Sequence, residues 1–391
     1  MNYRKFSADY LFTGYTMLGR KWVLVTDENG VVKEIIKDQD AGDDIEKHNG
    51  IISPGFINCH CHLELSHMKG AIPEGKGMTP FLLTVMNIRN FDEQFILQCI
   101  ADAESTMIKN GIAAIGDILN TTHTFSQKLQ RNIYYQNFVE TTGVAEDAAD
   151  ARFNFSSTIY DQFKKLNQPV SIVPHAPYSV SKKLFELINA KQQGNLLSIH
   201  NQESAAENEF FISGTGDLLR LYAALGISAD SIFPKGKSSI QTVLPSISAD
   251  HSLLLVHNVA TNKNDLDWIH QNKNILPELF WCLCPNANKY ITGQYPAVQL
   301  LKDFKATIVI GTDSFASNHE LSILSELKAL QLQFPALANE ELLLWATSNG
   351  AKALRIGDNF GDFERGKKPG VILIENAQEN SLANSFSRVL L

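Results

Sequence analysis

Residues 53–67, SPGFINCHCHLELSH, mark the point where the chain changes character. Before them lie short β-rich runs and turns. After them apolar β-rich runs alternate with longer helical stretches, the pattern of a parallel sheet with crossover helices. The same stretch holds Cys59, His60, Cys61 and His62. Successive side chains of a strand point to opposite faces, so His60 and His62 share one face while Cys59 and Cys61 share the other. A single metal ion takes one pair and not both.

Moving toward the C-terminus, eight such runs follow one another: FINCHCH (56–62), GIAAIGDI (111–118), NIYYQNFVE (132–140), VSIVPHAPYS (170–179), LLSIHNQE (196–203), SLLLVHN (252–258), LFWCLCP (279–285) and ATIVIGTDS (306–314). Eight parallel strands with intervening helices predict an α/β fold, a (β/α)8 TIM-like barrel over residues 54–359. Toward the N-terminus, WVLVTDENGVVKEIIK (22–37) is two β-rich runs around Asn29-Gly30, a hairpin signal. The tail, GDFERGKKPGVILIEN (361–376), returns to β-like sequence after turn chemistry at Gly366 and Pro369-Gly370. Residues 1–53 plus 360–391 are therefore expected to form one small discontinuous β-sandwich domain.

At 391 residues the chain exceeds one ordinary core, which agrees with a large domain plus a smaller one. A net charge of -8 without a Lys/Arg cluster argues against nucleic acid and anionic membranes as partners, leaving small or neutral substrates. The first residues lack the apolar run of a signal peptide and no 18-residue apolar stretch occurs, so the expected location is cytoplasmic. Five cysteines, four of them in two Cys-x-Cys pairs, do not make a secreted disulfide framework and read as buried reduced thiols. No feature of the sequence sets the oligomeric state; a homodimer is the commonest arrangement of soluble enzymes.

The polar residues matter more than the strand count. His60, His62, Asp117, Glu140, His175, His200, His257 and Asp313 all fall in or at the end of an apolar run, where barrels of this kind build their sites. One such histidine reads as a hydrogen-bonded core residue. Several on different strands read as a site. A mononuclear catalytic centre needs three or four N or O ligands around an open position, and His60, His62, His200 and Asp313 supply them. This places Cys59 and Cys61 outward, against helices. Glu203, three residues after His200, is placed to act as a proton shuttle to water activated at the ion; the alternative is a helix N-terminal glutamate. His257 is either a further ligand or a hydrogen-bond donor to the nucleophile and developing oxyanion, and the second is preferred because the other four fill a mononuclear site. A binuclear site ordinarily wants a bridging lysine or acid on the fourth strand, and that run has no lysine. Asp117 and Glu140 either reach the barrel mouth or, for Asp117, orient a ligand histidine from behind. His48, His67, His123, His251, His270 and His319 carry no spacing argument and read as surface residues.

Together PGFINCHCHLELS, PHAPYSVS, SIHNQE, LLVHN, CPNANKYITG and IGTDSFASN resemble the amidohydrolase superfamily, in its cytosine-deaminase and chlorohydrolase-like branch. The resemblance implies a single Zn or Fe ion on His60, His62, His200 and Asp313. It also implies that Glu203 moves a proton from water to a ring nitrogen, that Asp313 helps protonate the leaving group, and that His257 orients the nucleophile. HAPYSVS is similar to the corresponding segment of adenosine-type deaminases, including those acting on S-adenosylhomocysteine, which implies substrate contact by His175. In CPNANKYITG, Ala287 stands where that pattern has serine. Ser317 and Asn318 either line the pocket or fold the loop after strand eight. HCHLELSHMKG also resembles aminodeoxyfutalosine deaminases, so Glu64 either meets the substrate's sugar or base or is a loop acid paired with Lys69.

The implied activity is hydrolytic release of ammonia from an aminated N-heterocycle, an adenine nucleoside such as aminodeoxyfutalosine, adenosine or S-adenosylhomocysteine. The alternatives are a chlorohydrolase-type or cyclic-amide hydrolase on the same ion site and, ranked last because no ligand is missing, a non-catalytic binding protein.

Overall fold

The structure, a computed structural model, describes residues 3–191, 193–229 and 233–391. The eight apolar runs coincide with eight strands: β1 (Phe56–Cys61), β2 (Ile112–Leu119), β3 (Tyr134–Thr141), β4 (Val170–Pro174), β5 (Leu196–Asn201), β6 (Ser252–His257), β7 (Glu278–Leu283) and β8 (Ile308–Ile310). They form two four-stranded sheets, ordered β4-β3-β2-β1 and β5-β6-β7-β8, and every neighbouring pair is parallel. Continuous apolar sequence is what a strand covered on both faces requires, and all six residues of β6 are buried.

The two sheets meet at both outer strands. Cys61, at the end of β1, bridges in parallel to Asp313 beyond β8, and the Thr312 and Asp313 amides donate to the His60 carbonyl at 3.0 and 3.1 Å. On the other side the His200 amide donates to the His175 carbonyl at 2.9 Å. Two glycines make close approach possible. A Cβ on Gly116 would lie 2.5 Å from the Cys59 carbonyl oxygen, and one on Gly311 would lie 2.8 Å from His60 Cβ.

The terminal segments build two further sheets. Val32–Lys37, Trp22–Asp27, Tyr3–Ser7 and Ile45–Lys47 lie side by side in that order, the first two as the antiparallel hairpin that Asn29-Gly30 predicts. The second sheet runs Phe386–Val389, Val371–Glu375, Ile51–Pro54, Tyr10–Phe12, Met17–Gly19, so the tail pairs with the N-terminal segment. Its central strands serve two cores by simple alternation. Ile51, Ile372 and Ile374 join the large core, whereas Ile52, Val371 and Leu373 pack with Phe6, Leu11, Leu24 and Val32 in a separate one.

No helix among the described residues is long and apolar enough to cross a membrane. All five cysteines are free; Cys59 and Cys61 are fully buried, with Cys59 Sγ 3.8 Å from the Gly350 carbonyl of the helix Ser348–Ala353. Two of the histidines expected at the surface are instead buried, His67 and His251. Each satisfies a backbone group: His67 Nε2 meets the Arg89 carbonyl at 2.9 Å, and His251 Nδ1 accepts from the Asn195 amide at 3.0 Å. A single imidazole nitrogen committed in this way is enough to bury the ring without periodicity in the sequence.

Candidate active site

The C-terminal ends of β1, β5 and β6 and the turn after β8 bring four imidazoles and two carboxylates into one buried cluster. His62 Nε2 lies 3.2 Å from His60 Nε2 and 3.3 Å from His200 Nε2. Asp313 Oδ1 lies 3.4 Å from His60 Nε2 and 3.3 Å from His62 Nε2. These four residues form a group whose donor atoms lie within 4.8 Å of one another. The spacing fits a shared cation. Bonds of about 2.0–2.1 Å in a tetrahedral site put neighbouring ligand atoms about 3.3–3.4 Å apart. Imidazole nitrogens this close cannot satisfy one another by hydrogen bonding unless one carries a proton toward the next, whereas an ion satisfies all of their lone pairs.

The protonation states agree with ligation. Burial pushes the His60 imidazolium pKa down to about 3 and that of His200 down to about 4, and drives that of His62 well below the ordinary value. Neutral rings keep a lone pair available. For His200 the tautomer is set by its partner, since Nδ1 donates to the His175 carbonyl at 2.8 Å and leaves Nε2 facing the cluster. His60 Nδ1 has no hydrogen-bond partner among the described residues.

Glu203 and His257 stand beside the cluster. Glu203 Oε1 is 3.4 Å from His257 Nε2, and both residues line a cavity of about 290 Å³ together with His62, His200 and Asp313. Burial, and after it the carboxylates of Asp313 and Glu207, push the Glu203 pKa well above the usual carboxylate range. The His257 ring stacks on His200 with centroids 5.5 Å apart. Its Nδ1 accepts from the Asn288 amide at 2.9 Å, which puts the proton on Nε2, on the side of Glu203. His257 Nε2 itself makes no hydrogen bond among the described residues. His175 lines the cavity 4.8 Å from His200 by ring centroid, held by Ser179 Oγ at 2.7 Å from Nδ1.

The remaining candidates are placed differently from one another. Glu64 lines the cavity edge, but both of its oxygens are committed. Oε1 pairs with Arg89 at 2.8 Å, and Oε2 accepts from the Asn120 and Thr121 amides and Thr121 Oγ1 at 3.0, 2.9 and 2.7 Å. Its partner is therefore Arg89 and not Lys69, which lies over the Phe315 ring at 4.5 Å. Ser317 and Asn318 do not line the cavity. Ser317 Oγ donates to Asp313 Oδ2, and Asn318 Nδ2 donates to the Thr312 carbonyl and Glu326 Oε1, both at 2.8 Å, so they fold the loop after β8. Glu140 lines the cavity and accepts from Asn120 Nδ2 at 3.1 Å. Asp117 does not reach the cavity or any imidazole; it accepts from the Leu63 amide at 2.8 Å and pairs with Lys128.

Several lining residues carry no sequence signal of chemistry. Met78, Phe81, Leu82, Val85 and Met86, one face of the helix Met78–Ile88, form an apolar wall with Leu221 and Leu225. Their spacing is legible as an amphipathic helix, but not as a wall of the site.

A profile of the amidohydrolase family matches residues 51–388. Among relatives, an adenosine deaminase of Helicobacter pylori is 29% identical over 332 residues, covering 82% of this chain and 78% of the relative. An aminodeoxyfutalosine deaminase of Nitratiruptor sp. is 27% identical over 342 residues, 84% of this chain and 79% of its own length. Among solved structures, Helicobacter pylori aminofutalosine deaminase in complex with methylthio-coformycin superposes with a TM-score of 0.82 at 22% identity, covering 99% of this chain and 97% of that one. That likeness is one of fold, a mixed α/β architecture with parallel sheets.

Proposed function

Because this chain belongs to the amidohydrolase family, we propose that it is a metal-dependent hydrolytic deaminase releasing ammonia from an adenine nucleoside, in the range of adenosine, aminodeoxyfutalosine and S-adenosylhomocysteine. The relatives that match along most of the chain are named for deamination of such nucleosides. The observation that carries the reading is Glu203, a buried carboxyl three residues beyond His200, facing the cavity beside the ligand cluster. A carboxyl in that place, its pKa raised by burial, is positioned both to take and to give a proton. In this reading the eight parallel strands make one (β/α)8 barrel over residues 54–359, and residues 1–53 plus 360–391 make a small discontinuous β-sandwich.

His60, His62, His200 and Asp313 would hold one divalent ion, and imidazole with carboxylate suits Zn(II) or Fe(II). When bound, the ion supplies a nucleophile at neutral pH by lowering the pKa of water from 15.7 to about 7. The chain's own residues do the rest. Glu203 takes a proton from the attacking water and hands it to the ring nitrogen next to the amino-bearing carbon. The new carbon–oxygen bond forms as that nitrogen is protonated. His257, its Nδ1 committed to Asn288, donates from Nε2 to the oxygen that carries the developing charge. Asp313, steadied by Ser317, takes the remaining proton of that oxygen and passes it to the amine; as the carbonyl forms, the carbon–nitrogen bond breaks and ammonia leaves. His175 meets the heterocycle from the β4 side. The apolar wall of Met78, Phe81 and Val85 receives the part of the substrate remote from the amine.

The test is ammonia release by Zn-loaded and Fe-loaded protein from adenosine, aminodeoxyfutalosine, 5′-methylthioadenosine, S-adenosylhomocysteine and guanine, with Glu203→Gln as control. Release from an adenine nucleoside, lost in the variant, is the expected result. Silence across the panel with one equivalent of bound ion would overturn deamination and leave another leaving group, such as halide.

A further inference from the structure

Behind the site, outside the cavity, lies an ion pair between Asp117 of β2 and Lys128 of the short helix Phe125–Lys128, both side chains 0% exposed. Lys128 Nζ also donates to Asn137 Oδ1 of β3 at 2.8 Å and lies over the rings of Tyr135 and Phe163, 4.6 and 5.2 Å from their centroids. Neither member lines the site cavity or the neighbouring one walled by Glu64, His67 and Arg89. Desolvating two charges is costly, and an apolar pair of similar volume is often as stable. Stability is therefore a weak account of why the pair is there.

What Asp117 touches gives a better account. Its Oδ1 accepts the amide of Leu63, the residue directly after His62. Leu63 opens the turn Leu63–Met68, which leaves β1 and carries Glu64. Glu64 in turn accepts the amides of Asn120 and Thr121, where the chain leaves β2. The exits of β1 and β2 are thus tied twice, once from each side, and Lys128 fastens one tie to β3. A charged acceptor binds an amide about twice as strongly as a neutral one, and Lys128 is the counter-charge beside Asp117 in those apolar surroundings.

We propose that Asp117 is a positioning residue for the ion site, with Lys128 as its buried counter-charge: its acceptor oxygen fixes the backbone immediately after His62 and through it the approach of His62 Nε2 to the other donors. This rests on the ion-site reading above. Loss of such supporting contacts ordinarily weakens metal binding by about 10–100-fold.

The test compares two double variants that bury no charge. In Asp117→Asn with Lys128→Met an amide oxygen can still accept the Leu63 amide; in Asp117→Leu with Lys128→Met nothing can. Zinc affinity is read by competition with a chromophoric chelator, beside far-UV circular dichroism and Tm for each protein. The expected result is affinity within about threefold of wild type for the first and about 10–100-fold weaker for the second, with both folded. Equal affinities overturn the proposal, as does failure of the first double variant to fold, because the pair is then a folding element alone. A wild-type protein that binds no zinc overturns the ion site itself, which separates the two failures.

Discussion

Gly311 offers the sharpest perturbation of the site that leaves every chemical group in place. A methyl on its α-carbon would sit 2.8 Å from His60 Cβ, 2.9 Å from Cys282 Sγ and 3.0 Å from the His60 nitrogen. Non-bonded carbons prefer about 3.5–4.0 Å, so Gly311→Ala has to push β8 from β1 by roughly 0.7 Å or more. Neither neighbour has anywhere to go, since His60 and Cys282 are both fully buried. Overpacking of this kind costs about 1–3 kcal/mol. An unfolding entropy of about 2.1 cal/mol/K per residue over 391 residues is about 0.8 kcal/mol/K, so Tm of the metal-free protein should fall by about 1–4 °C. The same displacement separates His60 Nε2 from Asp313 Oδ1, now 3.4 Å apart, so the stabilisation by added zinc should shrink too. A tenfold weaker affinity removes about 1.4 kcal/mol of linkage, or about 2 °C of the zinc-induced shift. Calorimetry with and without zinc reads both numbers, and Gly357→Ala, with nothing within 4 Å of its added carbon, is the control. A Gly311→Ala protein with wild-type Tm and an unchanged zinc-induced shift would refute the claim that close approach of β8 and β1 sets the donor spacing.

Glu203→Gln should lower kcat by about 10²–10⁴-fold while bound metal stays at wild-type stoichiometry; a loss under threefold, measured by ammonia release, removes Glu203 from the chemistry. Phe81→Ala should raise KM for a nucleoside with an apolar 5′ substituent by about 1–3 kcal/mol of lost binding, with kcat unchanged. An equal effect on adenosine would show that the apolar wall does not receive that substituent. Glu207, whose pKa burial pushes from the ordinary 4.5 to about 7, binds a proton in the folded state that the unfolded chain has released. Stability should therefore fall as pH rises from about 4.5 to about 7, and Glu207→Gln should flatten Tm against pH in that window. Parallel curves for the two proteins would sink this assignment.

The strands were legible because buried parallel strands are continuous apolar runs, and each run that ends in His or Asp announces a change from packing to chemistry. What stayed hidden is which way a loop turns. Ser317 and Asn318 follow Asp313 closely enough to reach the cavity, yet both face inward to the loop, because Asp313 Oδ2 and Glu326 offer them buried acceptors. Glu64 pairs with Arg89 rather than with nearby Lys69, since the helix Met78–Ile88 ends where its C-terminal side returns over the turn. Lys128, an ordinary surface lysine by its neighbours in sequence, is buried because two residues on different strands, Asp117 and Asn137, receive it. Contacts of this kind join positions that no local period relates.

Strand alternation by itself would also misplace Glu203. His200 faces the cavity, so period two sends Asn201 outward, Gln202 inward and Glu203 outward again. The backbone breaks that sequence at Gln202, which has φ of 47°. With the turn to the left-handed region, Gln202 takes a buried polar nest of its own, donating to Asn208 Oδ1 and Asp265 Oδ2 at 3.0 and 2.9 Å and accepting from Thr261 Oγ1 at 2.7 Å. Glu203 is thereby delivered to the cavity wall. The same device recurs at His257 and Asn258, with φ of 81° and 60°, and at Asp313, with φ of 56°. Non-glycine residues held there cost about 1–3 kcal/mol each, and bonds to backbone carbonyls fix two of them: Asn258 Nδ2 donates to that of Leu255 at 2.7 Å, and the Asp313 amide to that of His60 at 3.1 Å. At Gln202, His257, Asn258 and Asp313 the strain falls where a side chain leaves the strand's own alternation. The sheet thus carries the ligands on β1 and β5 by regular geometry, and brings in the proton-moving groups by local departures from it.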